Sequence, residues 1–251
     1  MKFVTKILFL LIILCLIKYK WPYKIVYDIP DEPKNKNLNI DFDIVISPGG
    51  RYGMYILGVC HYIKNYFDIK NKKILGFSAG AWNAIFMCMK KEHMSDAIQK
   101  SFSLNKETVS NMLKKTINIL KKYKIDDIDI NNLYIGTSSF NKTIIYNKFM
   151  LLEELTRCCT SSSFIPILTY KDIFYFYKNR LTFDGGLYYK NFKKTLSSKT
   201  LIISFRMFGR YKNVNIFKER LKKCKPTAYQ LYIKGYHDAL RNHSYFEQYL
   251  N

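Results

Sequence analysis

Between the apolar pair Ile74-Leu75 and the helix-forming run Ala81-Trp82-Asn83-Ala84-Ile85 the chain reads Gly76-Phe77-Ser78-Ala79-Gly80. A strand that reverses into a helix around a serine has no room for a Cβ two residues to either side. Glycine at both places therefore lets the hydroxyl project from a strained turn. This is the pattern of a nucleophile elbow, and it demands a buried strand before it and a helix after it. The same residues also suit a plain strand-to-helix turn in which Ser78 only caps the helix.

Two further segments share this glycine-rich character. Upstream, Ile44-Val45-Ile46-Ser47-Pro48-Gly49-Gly50-Arg51-Tyr52-Gly53 is a buried-strand pattern running into a glycine turn and an amphipathic stretch that ends at Tyr66. Such a turn offers successive backbone N–H groups at a helix start, which suits a phosphate or the oxyanion of a tetrahedral intermediate, or it is an ordinary strand-to-helix turn. Downstream, Thr182-Phe183-Asp184-Gly185-Gly186 ends another apolar strand with a carboxylate that neighbouring side chains do not shield. Asp-Gly is also a common turn dipeptide.

In this order the three segments resemble the patatin-like phospholipases, which combine a glycine-rich oxyanion loop, a Gly-x-Ser-x-Gly elbow and an Asp-Gly-Gly. The small-residue stretch Cys159-Thr160-Ser161-Ser162-Ser163-Phe164-Ile165-Pro166 is similar to one that the family places before its aspartate. The resemblance covers roughly residues 41 to 186. It implies an α/β, three-layer fold with a mostly parallel central sheet flanked by helices. It also implies a lipid acyl hydrolase acting on glycerophospholipids, with Ser78 and Asp184 as a catalytic dyad and Gly49, Gly50 and Arg51 as oxyanion donors. The glycine loop departs from the family pattern. Pro48 holds the place of the first glycine and Tyr52 that of a basic residue, and proline has no N–H to donate.

At 251 residues and 48% hydrophobic composition, the chain suffices for one α/β core and leaves no space for a second enzymatic domain. Its net charge of +22 attracts polyanions, whether anionic lipid headgroups or nucleic acid, and membrane phospholipids with an anionic surface are the partners that the resemblance implies. No helix-turn-helix, zinc-finger or single-strand-binding signature accompanies the charge, so no specific nucleic acid is expected. The denser basic runs, such as Lys121-Lys122-Tyr123-Lys124, read as solvated helix faces. The six cysteines and four histidines show no metal-ligand spacing, and neither a cofactor nor a metal is expected. Cys60 and Cys88 lie in apolar helical patterns, which suits buried thiols and a reducing compartment better than a disulfide scaffold.

Residues 7–17 form an unbroken apolar run between Lys6 and Lys18, too apolar for a solvated tail. Flanking residues lengthen it toward a thin membrane span, with Tyr19, Trp21 and Tyr23 at the interface. No small residues mark a cleavage site, so an uncleaved anchor over residues 1–23 is favoured over a signal peptide or a buried first helix. Residues 24–40, with Pro30 and Pro33, read as a linker to a catalytic domain over 41–251.

Two other readings of function stay open. An α/β-hydrolase triad would add His237 or His243 to Ser78 and Asp184, which occur in the required chain order. A catalytically silent membrane protein would keep the fold and use only its basic surface and anchor.

Overall fold

The computed structural model describes residues 22–30, 40–104, 109–166, 168–169, 172–214 and 226–250. A six-stranded sheet runs in the order β1 (Lys24–Asp28), β5 (Lys142–Tyr146), β4 (Leu133–Ser139), β3 (Ile74–Phe77), β2 (Ile44–Ile46) and β8 (Leu201–Ile203). Neighbours are parallel except β4 and β5, which form a tight hairpin. A separate hairpin pairs β6 (Tyr175–Tyr177) with β7 (Arg180–Thr182). The aromatic run Tyr175-Phe176-Tyr177 before Lys178 is thus strand.

Alternation along the strands divides the interior in two. Ile44, Ile46, Ile74, Leu133 and Ile135 point to the larger core, where helices α1 (Gly53–Tyr66) and α2 (Ala79–Cys88) pack. Val45, Leu75, Phe77, Tyr134 and Ile145 point the other way, where the short helix α6 (Tyr189–Lys193) covers them with Phe192. The remaining helices are α3 (Lys91–Ser101), α4 (Val109–Leu120), α5 (Leu152–Ser162), α7 (Ala228–Arg241) and α8 (His243–Leu250). The architecture is α/β, with a mostly parallel central sheet flanked by helices.

Helix α7 crosses α1 closely. A Cβ on Gly58 would come within 2.7 Å of the Tyr236 nitrogen, and one on Gly235 within 2.8 Å of the Tyr55 carbonyl carbon. Beside this interface, the Arg210 guanidinium donates two hydrogen bonds of 2.6 Å to the Asp238 carboxylate, which also accepts from the Tyr55 hydroxyl at 2.8 Å. These contacts fix α1, and with it the glycine turn that precedes it.

Two expectations about the N-terminal third need correction. Residues 24–28 are not linker but the edge strand β1, because Val26 joins the larger core while Ile25 and Tyr27 join the smaller one. Burying apolar groups on both faces against β5 outweighs leaving them in water. Tyr23, expected at a membrane interface, instead donates its hydroxyl to Thr143 at 2.8 Å and packs its ring 5.9 Å from Tyr188. The remainder of the expected anchor, residues 1–21, and linker residues 31–39 lie outside the described residues, as do residues 215–223 of the stretch 214–223, whose sequence pattern reads as a helix. Among the described residues no helix is long and apolar enough to cross a membrane.

Candidate active site

Strands β2, β3 and β4 run parallel, so the turns after their carboxyl ends gather at one edge of the sheet, where open α/β sheets bind ligands. The first turn carries Gly49, Gly50 and Arg51, and the second carries Ser78. Asp184 arrives from a different direction. Phe183 forms an antiparallel bridge with Ser138 of β4, exchanging bonds of 3.1 and 2.7 Å, which delivers the next residue to the same edge.

Ser78 adopts φ 55° and ψ −123°, a conformation that costs a non-glycine residue on the order of 1–3 kcal/mol and persists only where its surroundings enforce it. Here they do. A Cβ on Gly80 would collide with the carbonyl oxygen of Ile46, so strand β2 and the start of α2 close around the turn. The Ser78 N–H donates to Ser162 Oγ at 2.8 Å, and that hydroxyl donates onward to the Gly136 carbonyl at 2.6 Å. Held this way, Ser78 Oγ lies 2.6 Å from Asp184 Oδ2 and donates to it. The other carboxylate oxygen accepts the Gly186 N–H at 2.7 Å, and the Asp184 N–H donates to Phe164 O at 2.8 Å, which orients the carboxylate toward the serine.

The glycine turn divides its expected donors. Gly50, at φ 52°, and Arg51 open a 3-10 turn that leads into α1, and both line a cavity shared with Ser78 and Asp184. The first N–H groups of a helix have no intrahelical acceptor, so these two are suited to receive an anion. Gly49 is buried behind them with its Cα hydrogens toward Ile56, and its carbonyl accepts from Tyr52 N–H at 3.0 Å. It does not line the cavity. The Arg51 guanidinium reaches away to the Pro226 carbonyl at 3.1 Å, tying the turn to the approach of α7. Tyr52, in the place of a basic residue, is buried and stacks on Phe205 at 5.0 Å, with Tyr211 at 4.7 Å. Pro48 packs beside Gly186. Both departures are absorbed by packing around the site.

The cavity of about 150 Å³ runs from Ser78 and Asp184 into the space between α1, α2, α3 and α4. Its wall is mostly hydrocarbon: Met54, Leu57, Trp82, Phe86 and Met112 contribute, and α2 supplies its face at Ala79, Trp82, Asn83 and Phe86. Asn83 is the polar member of that face. Its amide donates to the Gly53 carbonyl at 3.0 Å and to Ala79 O at 3.1 Å, which couples the glycine turn to the elbow helix. Trp82 donates its indole N–H to Ser163 Oγ at 2.9 Å.

At the far end of α2, Lys64 is drawn into the protein and donates to the carbonyls of Phe86 at 2.9 Å, Met87 at 2.8 Å and Met89. Burial pulls its pKa down to about 8. The described cysteines Cys60, Cys88, Cys158 and Cys159 are all buried free thiols, with burial raising the pKa of each.

No histidine lines the cavity among the described residues. His237 is exposed, and His243 shares a 2.7 Å bond with the Tyr62 hydroxyl and faces Glu247 at 3.5 Å. His61 bonds Tyr232 and Asn65, and His93 faces Asp127 at 3.2 Å. The structure therefore brings Ser78 and Asp184 together and leaves both proposed triad histidines elsewhere. Among the described residues, no group of three or more His, Cys, Asp and Glu side chains could hold a metal ion.

Ser162 and Asn83 carry roles that sequence reasoning missed. The small-residue segment containing Ser162 was visible, but which of its three serines would bond the elbow depends on the pitch of α5. Neither protein-family models nor curated proteins give a match to this chain.

Proposed function

We propose that this chain is a patatin-like lipid acyl hydrolase of phospholipase A type, cleaving ester-linked fatty acid from glycerophospholipids through a Ser78–Asp184 dyad. The observation that carries the reading is the 2.6 Å bond from Ser78 Oγ to Asp184 at the mouth of an apolar cavity. A strained elbow, a carboxylate base and two helix-start N–H groups around one point are the parts acyl transfer needs.

In this reading Asp184 takes the Ser78 proton while Oγ bonds to the ester carbonyl carbon, and the carbonyl electron pair moves onto oxygen. The N–H groups of Gly50 and Arg51 receive that oxyanion, and the start of α2 adds a favourable dipole. Collapse of the tetrahedral species breaks the bond to the alcohol, which leaves with the proton from Asp184. Water then loses a proton to Asp184 and attacks the acyl-serine. Ser78 regains its proton as the free fatty acid departs. A carboxylate serves as base without a histidine between it and the serine. The N-terminal anchor and the basic surface would bring this site to an anionic membrane.

The test is fatty-acid release from mixed phospholipid vesicles by the parent protein, Ser78→Ala and Asp184→Asn. The parent should release acid, Ser78→Ala should lose that activity, and Asp184→Asn should fall by about 10²–10⁴-fold, the usual contribution of a general base. His237→Ala and His243→Ala should retain it. Equal release by all variants would overturn the reading. Absence of release with intact vesicle binding would favour the catalytically silent membrane protein.

A further inference from the structure

The cavity has a direction. Along α2, Ala79, Trp82, Asn83 and Phe86 recur at i, i+3, i+4 and i+7, one face of a helix from its first turn to its last. The near end opens at exposed Gly50 and half-buried Trp82 and Ile165. The far end closes on buried side chains, with Phe86 6%, Met89 3%, Leu104 6% and Leu120 6% exposed. Beyond Asn83 the described wall is mostly apolar, and its helix hydroxyls donate their protons to the backbone. The hydroxyls of Ser101 and Thr116 are turned back to the carbonyls of their own helices, Ala97 and Met112, each at 2.8 Å.

The closed end is also anchored. Lys64 holds the carbonyls of Phe86, Met87 and Met89, and its ammonium lies 5.7 Å from the centre of the Phe86 ring. A pocket that is apolar, closed at its far end among the described residues and fixed there measures the length of what enters it.

We infer that the cavity is an acyl-chain ruler: one fatty-acyl chain enters with its carbonyl at Ser78, and Phe86 and Met89 stop its methyl end. This rests on the acyl hydrolase reading and adds the chain length that the enzyme selects. Ala79 to Phe86 spans seven residues and Ala79 to Met89 spans ten, which at about 1.5 Å per residue gives roughly 10–15 Å. An extended hydrocarbon with bonds of about 1.5 Å advances roughly 1.3 Å per carbon, so the depth suits chains of about eight to twelve carbons. A sixteen-carbon chain exceeds this depth and should be bound and cleaved less well than one of eight to twelve.

The experiment compares 4-nitrophenyl esters of four to sixteen carbons, which share one leaving group, with the parent, Phe86→Leu, Phe86→Ala and Met89→Ala. For the parent, kcat/KM should rise by up to about fourfold per added methylene and then level or fall between eight and twelve carbons. The variants should move that break to longer chains, by two or more carbons. Phe86→Leu guards against a misfolded alanine variant, and circular dichroism checks each. In parallel, Ser78→Ala is titrated with decanoate and hexadecanoate against a bound fluorescent fatty acid, which reads chain selection without catalysis.

Ser78-dependent hydrolysis that keeps rising to sixteen carbons, or a break that none of the variants moves, would overturn the ruler and leave the hydrolase standing. Tighter binding of decanoate than hexadecanoate by Ser78→Ala, with no ester hydrolysis by the parent, would support the chain site and sink the hydrolase. Equal binding of the two acids would also count against the ruler.

Discussion

Removing one hydroxyl at Ser162 should loosen the elbow without touching either member of the dyad. Ser162 Oγ accepts the Ser78 N–H at 2.8 Å and donates to Gly136 O at 2.6 Å, and Ser162 is fully buried. Ser162→Ala leaves a buried N–H without its acceptor, which costs about 1–3 kcal/mol, and removes a bond from a strand carbonyl, worth about 0.5–1.5 kcal/mol. The sum is roughly 3 kcal/mol, a large share of the 5–15 kcal/mol typical of a domain. The same change releases Ser78 from its strained φ, and a displacement of the nucleophile by about 1 Å can cost on the order of 10²-fold in rate. Urea unfolding gives the first quantity and ester hydrolysis the second. Ser161→Ala is the control: its hydroxyl bonds Thr182 Oγ1 at 2.7 Å, and Thr182 keeps a 3.1 Å bond to Tyr175 O, so about 1 kcal/mol and little activity should be lost. The reasoning is refuted if Ser162→Ala unfolds within about 1 kcal/mol of the parent and hydrolyses esters at the parental rate.

Asp238→Ala strands Tyr55 and leaves Arg210 half-exposed without its carboxylate. Discounted for water at the guanidinium, unfolding by urea should show a loss of about 2–3 kcal/mol, and a loss below 0.5 kcal/mol would contradict the network. Burial, and next the charge of Lys64, depress the pKa of His61 below its ordinary 6.5. The unfolded chain then binds a proton that the folded one refuses, so stability falls as pH drops from about 6.5 toward the depressed value and levels below it. His61→Gln should flatten that part of the urea-midpoint profile, and an unchanged slope would sink the assignment. With Cys15 and Cys224 replaced by serine, a thiol reagent should find almost nothing to modify in the native protein and four thiols after denaturation, since Cys60, Cys88, Cys158 and Cys159 are buried with raised pKa values. Fast native labelling of any of the four would show that the core opens.

Much of the site was written locally. Glycine at position 80 is required because β2 passes where a Cβ would be, and the pattern of Gly76, Ser78 and Gly80 announces that crowding before any coordinate is known. The strands Ile44–Ile46 and Ile74–Phe77 and the helices after them follow from apolar runs and periodicity, which are properties of near neighbours along the chain. Helix α3 was not anticipated, because its eleven residues are polar overall and bury only Met94, Ala97 and Ile98, a short stripe. Strand β1 was mistaken for linker for a related reason. Its five residues gain their value only against β5, more than a hundred positions later, and no local signal records a parallel partner.

The sequence by itself determined where the turns fall: a serine between two glycines after a strand, a glycine turn before a helix and a carboxylate followed by two glycines. Only the tertiary structure decided which groups meet. It brought Asp184 to within 2.6 Å of Ser78 across 106 positions, chose Ser162 among three serines, and kept Gly49 and the histidines out of the cavity lining. It also made the cavity, whose walls come from four helices and the loops beside them with no shared pattern. Local sterics act over a few residues and are legible in them, whereas the shape of an enclosed space depends on distant segments whose contacts exist only once the chain is packed.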